Sequence, residues 1–383
     1  MDMTAAFSIA RTAAAQPLLI DSSTGLVRAA KAWRRCRQIA IDTEFVRVNT
    51  YYANLGLIQI SDGQTVWLID PIAVDDLEPL RELLIAEEIL KLVHSPSEDL
   101  EILKQRFEIL PEPLIDTQVA AACLGQSHQL GYHHLIEWLL DLTLDKAATR
   151  SDWCRRPLSN KQLHYAAEDV AYLPLAWDLL KPRLMALDRL QWVIEDSMRH
   201  LMIARQSIEP MALYKRQRDI HRLNDGERTV LQELCAWRET TARQSNRPRP
   251  FILKDKNLSE IARKQPLDTT QLAEVSDLHP AVMRRHGPDI VQRVSMALER
   301  EESAPEPPRQ LSNRELKILK RLQTIVQDRA AELSIPPAML AAKRELEWLL
   351  RSSSRESLPE RLSGWRSGII GDRLMQEIKD SLV

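Results

Sequence analysis

The segments of this chain that resemble β-strands all lie in its first half, and this division constrains the fold more than any other feature. Short apolar runs there alternate with patterns of helical period, whereas from about Glu209 onward only helical patterns occur. The strand-like runs cover residues 38–45, 55–60, 65–69 and 89–93. Strands that alternate with helices predict a mixed sheet flanked by helices. We therefore expect an α/β domain followed by all-α helical domains.

Local turn and capping signals predict the order of elements in the first half. Asp62-Gly63 separates two apolar runs, a pattern typical of a β-hairpin. The sequence SPSE at 95–98 has the form of a capping box with proline at the first helical position, so a helix is expected from Ser95 to about residue 106. Further helices are predicted at 76–86, 117–124, 132–140 and 159–180.

The length of 383 residues corresponds to two or three domains at about 150 residues each. Residues 301–310, EESAPEPPRQ, have the composition of a linker between two helical segments. The expected division is a tail at 1–17, a first domain at 18–208, a helical domain at 209–301, a linker at 302–312 and a second helical domain at 313–383. The helices of the second half are predicted at 228–243, 259–264, 269–274, 281–286, 288–300, 314–333, 337–350 and 371–382.

Composition narrows the class of protein. The acid Asp2 and the base Arg11 predict that the N-terminus is a loose tail rather than a secretory signal. The sequence contains no run of about 18 apolar residues, so no membrane span is expected. The four cysteines form no CxxC pair, which argues against a disulfide scaffold or a zinc site and is typical of a reducing cytoplasm. No heptad pattern suggests assembly, so a monomer is expected.

Charge is divided unevenly between the two halves. Residues 1–200 contain 20 Lys and Arg against 28 Asp and Glu, and residues 201–383 contain 32 against 26. An acidic first half is suited to metal ions and a basic second half to phosphates, although chance drift between domains explains the difference equally well. The chain has no GxxxxGK phosphate loop, GxG fingerprint, GxSxG or HExxH motif. We therefore expect no nucleotide cofactor.

Three acidic motifs in the first domain are candidates for chemistry. Asp42 and Glu44 are two residues apart on a predicted strand, so both carboxylates lie on one face, where a multivalent cation would relieve their repulsion. Asp99 lies in the first turn of a predicted helix, and Tyr165 and Asp169 share a helix face. Each motif also has a structural explanation: a solvated strand end, an acid that complements the helix dipole, or a core pair.

The combination and order of these motifs resemble the DEDD 3′→5′ exonucleases, and within them the ribonuclease D family. The residues that carry this resemblance lie in TYYANLGLIQIS and DTEFVR within 42–61, HSPSEDLEIL at 94–103, DTQVAA at 116–121 and SDWCRRPLSNKQLHYAAEDVAYL at 151–173. Residues 231–266 resemble an HRDC domain, and LAAKRELEWLL at 340–350 resembles a second, more degenerate copy. The resemblance covers about residues 18–383 and implies a ribonuclease-H-like mixed sheet followed by helical HRDC domains.

The family resemblance also implies an activity. It implies a metal-dependent 3′→5′ exoribonuclease that uses two divalent cations, Mg²⁺ or Mn²⁺, and releases nucleoside 5′-monophosphates. Asp42, Glu44, Asp99 and Asp169 are the implied metal ligands. A phenol has a pKa near 10, so we expect Tyr165 to orient the attacking water rather than act as the general base. The implied substrates are the 3′ ends of precursor tRNA and other small structured RNAs.

Candidates for RNA contact carry weaker signals. Tyr51, Tyr52 and Trp153 have rings that could stack on a terminal base or simply pack in the core. Gln59 and His94 lie beside the predicted active strands, where a histidine is more often partly buried and hydrogen-bonded than a ligand. Basic residues crowd the HRDC segment and predict a surface that follows phosphates, although a solvated helix face explains them too. This basic set comprises Arg238, Arg247, Arg249, Lys254 and Lys256.

Two alternative functions stay open from the sequence. The same acids would serve a 3′→5′ DNA exonuclease, since no residue is identified that would contact a 2′-hydroxyl group. A non-catalytic RNA-binding protein with a decayed nuclease domain is the other alternative. The presence of all four acids and Tyr165 argues against decay.

Overall fold

The computed structural model describes residues 3–145, 151–352 and 358–382. The chain divides into two compact units. Unit 1 contains the residues up to Val46, Leu55–Arg205 and those from Leu311 onward, and unit 2 contains Arg47–Asn54 and Gln206–Gln310. The helical segment that follows the linker therefore belongs to the same compact unit as the α/β domain. The five-part division expected from the sequence stays a prediction.

Unit 1 is built on a mixed sheet. Within the residues described, the six strands are β1 (Leu18–Ile20), β2 (Gln38–Val46), β3 (Asn54–Ser61), β4 (Val66–Ile69), β5 (Leu90–Val93) and β6 (Leu114–Asp116). Their order in the sheet is β1-β4-β3-β2-β5-β6, with the pairs β1–β4, β2–β5 and β5–β6 parallel and the pair β3–β4 antiparallel. This arrangement confirms the predicted fold class.

The predicted β-hairpin is confirmed between β3 and β4. The Asp62 side chain accepts hydrogen bonds from the N–H groups of Gln64 and Thr65, at 2.9 and 2.7 Å. Gly63 has a φ of +87°, a conformation that costs glycine little. The strands β1 and β6 were not predicted, because three residues are too few to display an alternating pattern.

Helices of the first domain cover both faces of the sheet. They are α1 (Met3–Ala15), α2 (Ser23–Trp33), α3 (Glu78–Ile85), α4 (Ser97–Phe107), α5 (Thr117–Cys123), α6 (Tyr132–Leu140), α7 (Asn160–Ala171), α8 (Leu173–Ala186) and α9 (Leu190–Arg205). The single helix expected at 159–180 is thus two helices, which meet at Tyr172 just before Pro174. No helix was predicted at the position of α9.

The expectation of a loose N-terminal tail is wrong for residues 3–15. These residues form α1, which buries Ala6, Ala10, Ala13 and Ala14. The Phe7 ring also stacks on that of Tyr172, with centroids 6.1 Å apart. Alanine is the strongest helix former, and its recurrence at helical spacing produces a narrow face that packs closely on α7 and α8.

Unit 2 is helical apart from its connecting segments. Short 3₁₀ helices at Pro210–Arg216 and Ile220–Arg222 precede its α-helices. The two helices expected at 281–286 and 288–300 are one, because Ile290, Val294 and Ala297 pack into the core of the unit and hold the helix together across Pro288. The α-helices are α10 (Asp225–Gln244), α11 (Arg249–Ile252), α12 (Asp255–Lys264), α13 (Thr269–Ala273) and α14 (Pro280–Leu298).

The C-terminal helices pack against the first domain within unit 1. The helix expected at 337–350 is interrupted at Ala341, whose φ and ψ of −154° and 133° are those of extended backbone. A 3₁₀ turn covers Glu360–Leu362 and a π-helical turn covers Ser367–Gly371. The α-helices here are α15 (Asn313–Leu333), α16 (Pro337–Leu340), α17 (Lys343–Arg351) and α18 (Asp372–Leu382).

The two faces of the sheet have separate cores. One core contains Ala40 of β2 and Leu57 of β3 together with residues of α5, α7 and α8. The other contains Ile39 and Ile41 of β2 with residues of α2, α3 and α4. Even-numbered residues of β2 therefore face α7. Among the residues described, no helix is long and apolar enough to cross a membrane.

Candidate active site

The strand β2 presents two of the predicted acids to α7. Asp42 and Glu44 continue the even-numbered face that Ala40 begins, and both are partly buried. The Thr43 side chain lies on the opposite face of β2, and its hydroxyl donates a hydrogen bond to Asp99 at 2.5 Å. This contact joins β2 to α4, so the structure brings the acid of the second motif to the strand that carries the first.

The helix α4, which carries Asp99, does not begin with the predicted capping box. Ser95 has a φ of +59°, the cap position is Pro96, and no side chain caps the first turn. The N–H of Ser95 instead donates to the buried carboxylate of Asp116, at 3.0 Å. The left-handed backbone at Ser95 differs from the extended conformation that a capping serine needs. The hydrogen bond to Asp116, which is distant in sequence, therefore replaces the predicted capping box.

The helix α7 carries the third motif. It begins with a complete capping box between Ser159 and Gln162. Tyr165 and Asp169 lie one turn apart, and a hydrogen bond from the Tyr165 hydroxyl favours the ionised form of Asp169. The Tyr132 hydroxyl of α6 donates to the backbone carbonyl of Glu168 at 2.7 Å, which fixes α7 beside the sheet.

The four acids all have raised pKa values, and two of them are raised in part by the charges of the others. Burial, and then repulsion from Asp99, Asp169 and Glu44, raises the pKa of Asp42 well above its usual value. Burial and the charges of Asp169 and Asp99 raise the pKa of Glu44 to about 9. Burial raises the pKa of Asp99, and it raises that of Asp169 to about 7. Burying like charges together is costly, so the group is electrostatically suited to a cation.

A pocket of about 320 Å³ opens beside this group of acids. Asp42, Tyr165 and Asp169 contribute to its wall, whereas Glu44 and Asp99 do not line it. The complete lining is Ile41, Asp42, His94, Tyr132, His133, Tyr165, Asp169 and Leu173. His133 was not singled out from the sequence. Its ring centroid lies 6.5 Å from that of Tyr165.

The donor set of this site fits a hard divalent cation. Carboxylate oxygens are the ligands that Mg²⁺ and Mn²⁺ prefer. In the part of the chain that the structure describes, no three acid, histidine or cysteine side chains form a ready-made metal cage. Mg²⁺ commonly binds one or two carboxylates, several waters and the phosphates of a substrate rather than a closed protein cage. The open arrangement around Asp42 and Asp169 is compatible with that mode of binding.

Arg156 is a residue of this site region to which the sequence assigned no role. Its guanidinium contacts both carboxylate oxygens of Asp70, at 2.5 and 2.7 Å. It also donates to the backbone carbonyls of Gly56 and Trp153, at 2.7 and 2.8 Å. The segment that leads into α7 is therefore fastened to β3, and a Cβ atom at Gly56 would lie only 2.5 Å from the Trp153 carbonyl oxygen. Because Asp70 is buried, its ion pair with Arg156 indicates a structural role for this arginine.

Three predicted RNA contacts in unit 1 are buried or occupied. Trp153 is 1% exposed and its ring lies 6.1 Å from that of Tyr165, so core packing is the correct alternative. Gln59 is fully buried within the sheet. His94 is half-buried, with its two ring nitrogens 2.9 Å from the Thr117 hydroxyl and 2.8 Å from a backbone carbonyl. Of these three residues, only His94 lines the pocket, and the burial of Trp153 corrects the expectation that its ring stacks on a base.

Another three predicted contacts, in unit 2, take part in a buried polar cluster. Tyr51 donates to the buried Glu239 at 2.5 Å, and Arg249 covers its ring and pairs with the same carboxylate. Tyr52 lies edge-on to Tyr51, and its N–H donates to Asn246 at 3.0 Å. These contacts stabilise unit 2 and leave Tyr51 and Arg249 little freedom for a ligand.

The other basic residues of the predicted set differ in exposure and in whether they pair with an acid. Arg238 is 7% exposed and donates to the Leu253 carbonyl and to Asp255, so its charge is used inside unit 2. Lys256 pairs with Asp277 at 2.6 Å on the surface. Arg247 and Lys254 are exposed and line a groove of about 740 Å³. The groove is also lined by Phe251, His279, Arg284 and Arg285.

Comparisons with known proteins define the class to which this fold and site belong. A family model described as a 3′–5′ exonuclease matches residues 17–185, and an HRDC domain model matches residues 227–294. Ribonuclease D of Pseudomonas paraeruginosa is 38% identical over 94% of this chain and 97% of its own length. Ribonuclease D of Escherichia coli is 33% identical over 93% of this chain and 96% of its own length.

Solved structures agree with this class. The crystal structure of Escherichia coli RNase D, described as an exoribonuclease involved in structured RNA processing, matches with a TM-score of 0.89 and 31% identity over 95% of this chain and 99% of that chain. The catalytic core of RRP6 from Trypanosoma brucei, at 21% identity over 74% and 80% of the two chains, shares the fold with a TM-score of 0.60. The chain belongs to the ribonuclease D family and is a hydrolase of the 3′–5′ exoribonuclease class.

Proposed function

We propose that this enzyme shortens structured RNAs from their 3′ ends by a two-metal-ion mechanism and releases nucleoside 5′-monophosphates. Precursor tRNA and other small structured RNAs are the proposed substrates, in line with the structured-RNA role named for the Escherichia coli relative. The observation that carries the proposal is a group of four acids beside an open pocket, each with a pKa raised by burial, in which the pKa values of Asp42 and Glu44 are also raised by the charges of Asp99 and Asp169. The cytoplasmic location and monomeric state expected from the sequence stay predictions.

Asp42, Glu44, Asp99 and Asp169 would hold the divalent cations. Bound cations supply a water nucleophile at neutral pH and stabilise the charge that develops on the departing 3′-oxygen. Asp42 would be the central ligand of this set, since the other three acids all act on its pKa. The Thr43 hydroxyl orients Asp99 toward this group from the opposite face of β2.

Tyr165 is proposed to orient the attacking water. Tyr165 lines the pocket and its hydroxyl hydrogen-bonds to Asp169, so it would present an oxygen to a water bound beside that carboxylate. The Tyr165→Phe variant should keep its affinity for Mg²⁺ and lose most of its turnover, as measured by calorimetry and single-turnover kinetics. Turnover close to the wild-type rate would contradict this role.

The test of the main proposal uses a 5′-labelled RNA with a tRNA-like stem and a single-stranded 3′ tail. In Mg²⁺ the wild-type enzyme should produce a ladder that shortens from the 3′ end, together with nucleoside 5′-monophosphates. The Asp42→Ala variant and an EDTA control should produce neither. A DNA oligomer of the same sequence, digested in parallel, distinguishes the DNA exonuclease. Intact RNA that still binds the protein would indicate the non-catalytic alternative.

The groove of unit 2 is the proposed surface for the body of the RNA. Arg247, Lys254, Arg284 and Arg285 place positive charge along it, and the exposed ring of Phe251 offers a surface for stacking. The double variant Arg247→Glu, Lys254→Glu should raise KM for the structured RNA more than it lowers kcat and should weaken the salt dependence of binding.

The control for this surface is Arg216→Glu, which changes the charge of an exposed residue of the same unit outside the groove. It should leave KM close to the wild-type value. Equal effects of the groove variant and the control would show that net charge matters and the groove does not.

A further inference from the structure

We propose that Asp116, held in place by Ser197 and His200 of α9, is a positioning residue that fixes the start of α4 and hence the carboxylate of Asp99. The inference rests on the proposed metal-binding role of Asp99. The sequence offered no chemical role for Asp116, and α9 was not predicted at all.

Asp116 is a buried acid at the end of β6. It is 1% exposed. One carboxylate oxygen accepts the N–H of Gln118 at 2.8 Å, which caps α5, and the N–H of Ser95 at 3.0 Å. The second oxygen lies 3.2 Å from the His200 side chain. A single carboxylate therefore joins the first turn of α5, the loop before α4 and the helix α9.

The contact with Ser95 matters because of the backbone conformation there. A serine with a φ of +59° is in the left-handed region, which is unfavourable for residues with a Cβ atom. The hydrogen bond from the Ser95 N–H to Asp116 stabilises this conformation, together with the hydrogen bond from the Ser97 N–H to the Ser95 carbonyl. Ser95 is two residues before α4, and Asp99 lies in the first turn of that helix. A change in the loop at Ser95 would thus displace the carboxylate of Asp99.

The helix α9 holds Asp116 from behind at two points. The backbone N–H of Asp116 donates to the Ser197 hydroxyl at 2.9 Å. The His200 ring faces the carboxylate one turn further along the same helix. Although burial alone would raise it, the pKa of Asp116 is lowered by His200, and the pKa of His200 is raised in return. His94, Asp196 and Arg199 also act on this pair.

The C-terminal segment holds α9 in turn. Asp196, next to Ser197, receives both terminal nitrogens of Arg366 at 2.6 and 2.5 Å inside unit 1. The rings of Trp192 and Trp365 are stacked, with centroids 4.3 Å apart. The same helix is therefore fixed to the C-terminal segment at one face and to the acid that supports α4 at the other.

The test compares His200→Ala, His200→Gln and the matched control Val193→Ala. Val193 is fully buried on α9, so its truncation lowers stability without touching Asp116. At a temperature where all variants are folded, His200→Ala should lower kcat about tenfold and raise the Mg²⁺ concentration for half-maximal rate. His200→Gln, which keeps a donor, should recover part of the loss, and Val193→Ala should do neither.

Hydrogen exchange of the metal-free protein gives a readout that is independent of turnover. Amides of residues 95–100 should exchange faster in His200→Ala than in Val193→Ala. Unchanged exchange and unchanged kcat in His200→Ala would overturn the proposal. The Asp99→Asn variant separates the two ideas: if it keeps its activity, the proposed function of Asp99 fails, and if it is inactive while His200→Ala is normal, the positioning role alone fails.

Discussion

Glu44→Gln should stabilise the metal-free protein while abolishing its activity. Glu44 lies beside Asp99 and Asp169 with no cation to compensate their charges, and burial together with this repulsion raises its pKa to about 9. Glutamine has nearly the same shape and carries no charge. The substitution therefore removes the electrostatic cost and keeps the packing.

The size of the effect follows from the difference in proton binding between the two states. Below the ordinary pKa of 4.5 the carboxyl is protonated in both states, so it has no effect on stability. Above pH 4.5 the unfolded chain ionises while the folded protein retains the proton, and stability falls by about 1.4 kcal/mol per pH unit. At pH 7 the cost reaches about 3 kcal/mol. Removing it should raise Tm by roughly 5 °C in a unit of this size.

Thermal unfolding in EDTA at several pH values between 5 and 8 measures this difference. The Tm advantage of Glu44→Gln should grow with pH, because the folded carboxyl resists ionisation up to about pH 9. Mg²⁺ should raise the Tm of the wild-type protein more than that of the variant. Glu98→Gln, an exposed glutamate beside Asp99, is the matched control and should change Tm little. A variant that is less stable than wild type, or an advantage independent of pH, would refute the reasoning.

Three further outcomes are expected. Gly56→Ala should lower stability by about 1–3 kcal/mol, measured by urea unfolding, since the new methyl group meets the Trp153 backbone. Arg156→Lys should reduce both Tm and kcat, because lysine cannot contact both oxygens of Asp70 and two carbonyls together. Guanidinium groups lower the pKa of Glu239 from 4.5 to about 2 against the effect of burial. The stability that the ionised carboxylate contributes should therefore disappear as pH falls from 4.5 to 2, and thermal unfolding of Glu239→Gln should not show this decrease.

Much of unit 1 was predictable because its signals are local. The alternation of β2, the Asp-Gly turn after β3 and the helical rhythm of α6 each depend on neighbouring residues alone. The pairing of Asp42 with Glu44 on one face follows from the two-residue period of a strand. The capping box of α7 is also local, and it forms in full at Ser159.

The failures share a physical cause, which is competition from partners distant in sequence. Ser95 has every neighbour that a helix cap requires, yet Asp116 captures its N–H and changes its backbone. Trp153 was a candidate for stacking on a base. Gly56 of β3 instead lets the Trp153 backbone pack closely on the strand, and the Trp153 side chain is buried. A break between two helices was expected just before Pro288, and packing of the surrounding residues keeps α14 continuous.

Residue types and spacing predicted a mixed sheet and a helical second half, and the resemblance to the DEDD exonucleases implied the nuclease chemistry of the four acids. Spacing cannot say which charges are already neutralised, because ion pairs form across the fold. Tertiary structure decided that Arg238 and Arg249 pair with acids inside unit 2, whereas Arg247 and Lys254 are exposed at the groove. It also decided that α9 supports Asp116, since a buried carboxylate must find donors wherever the folded chain brings them.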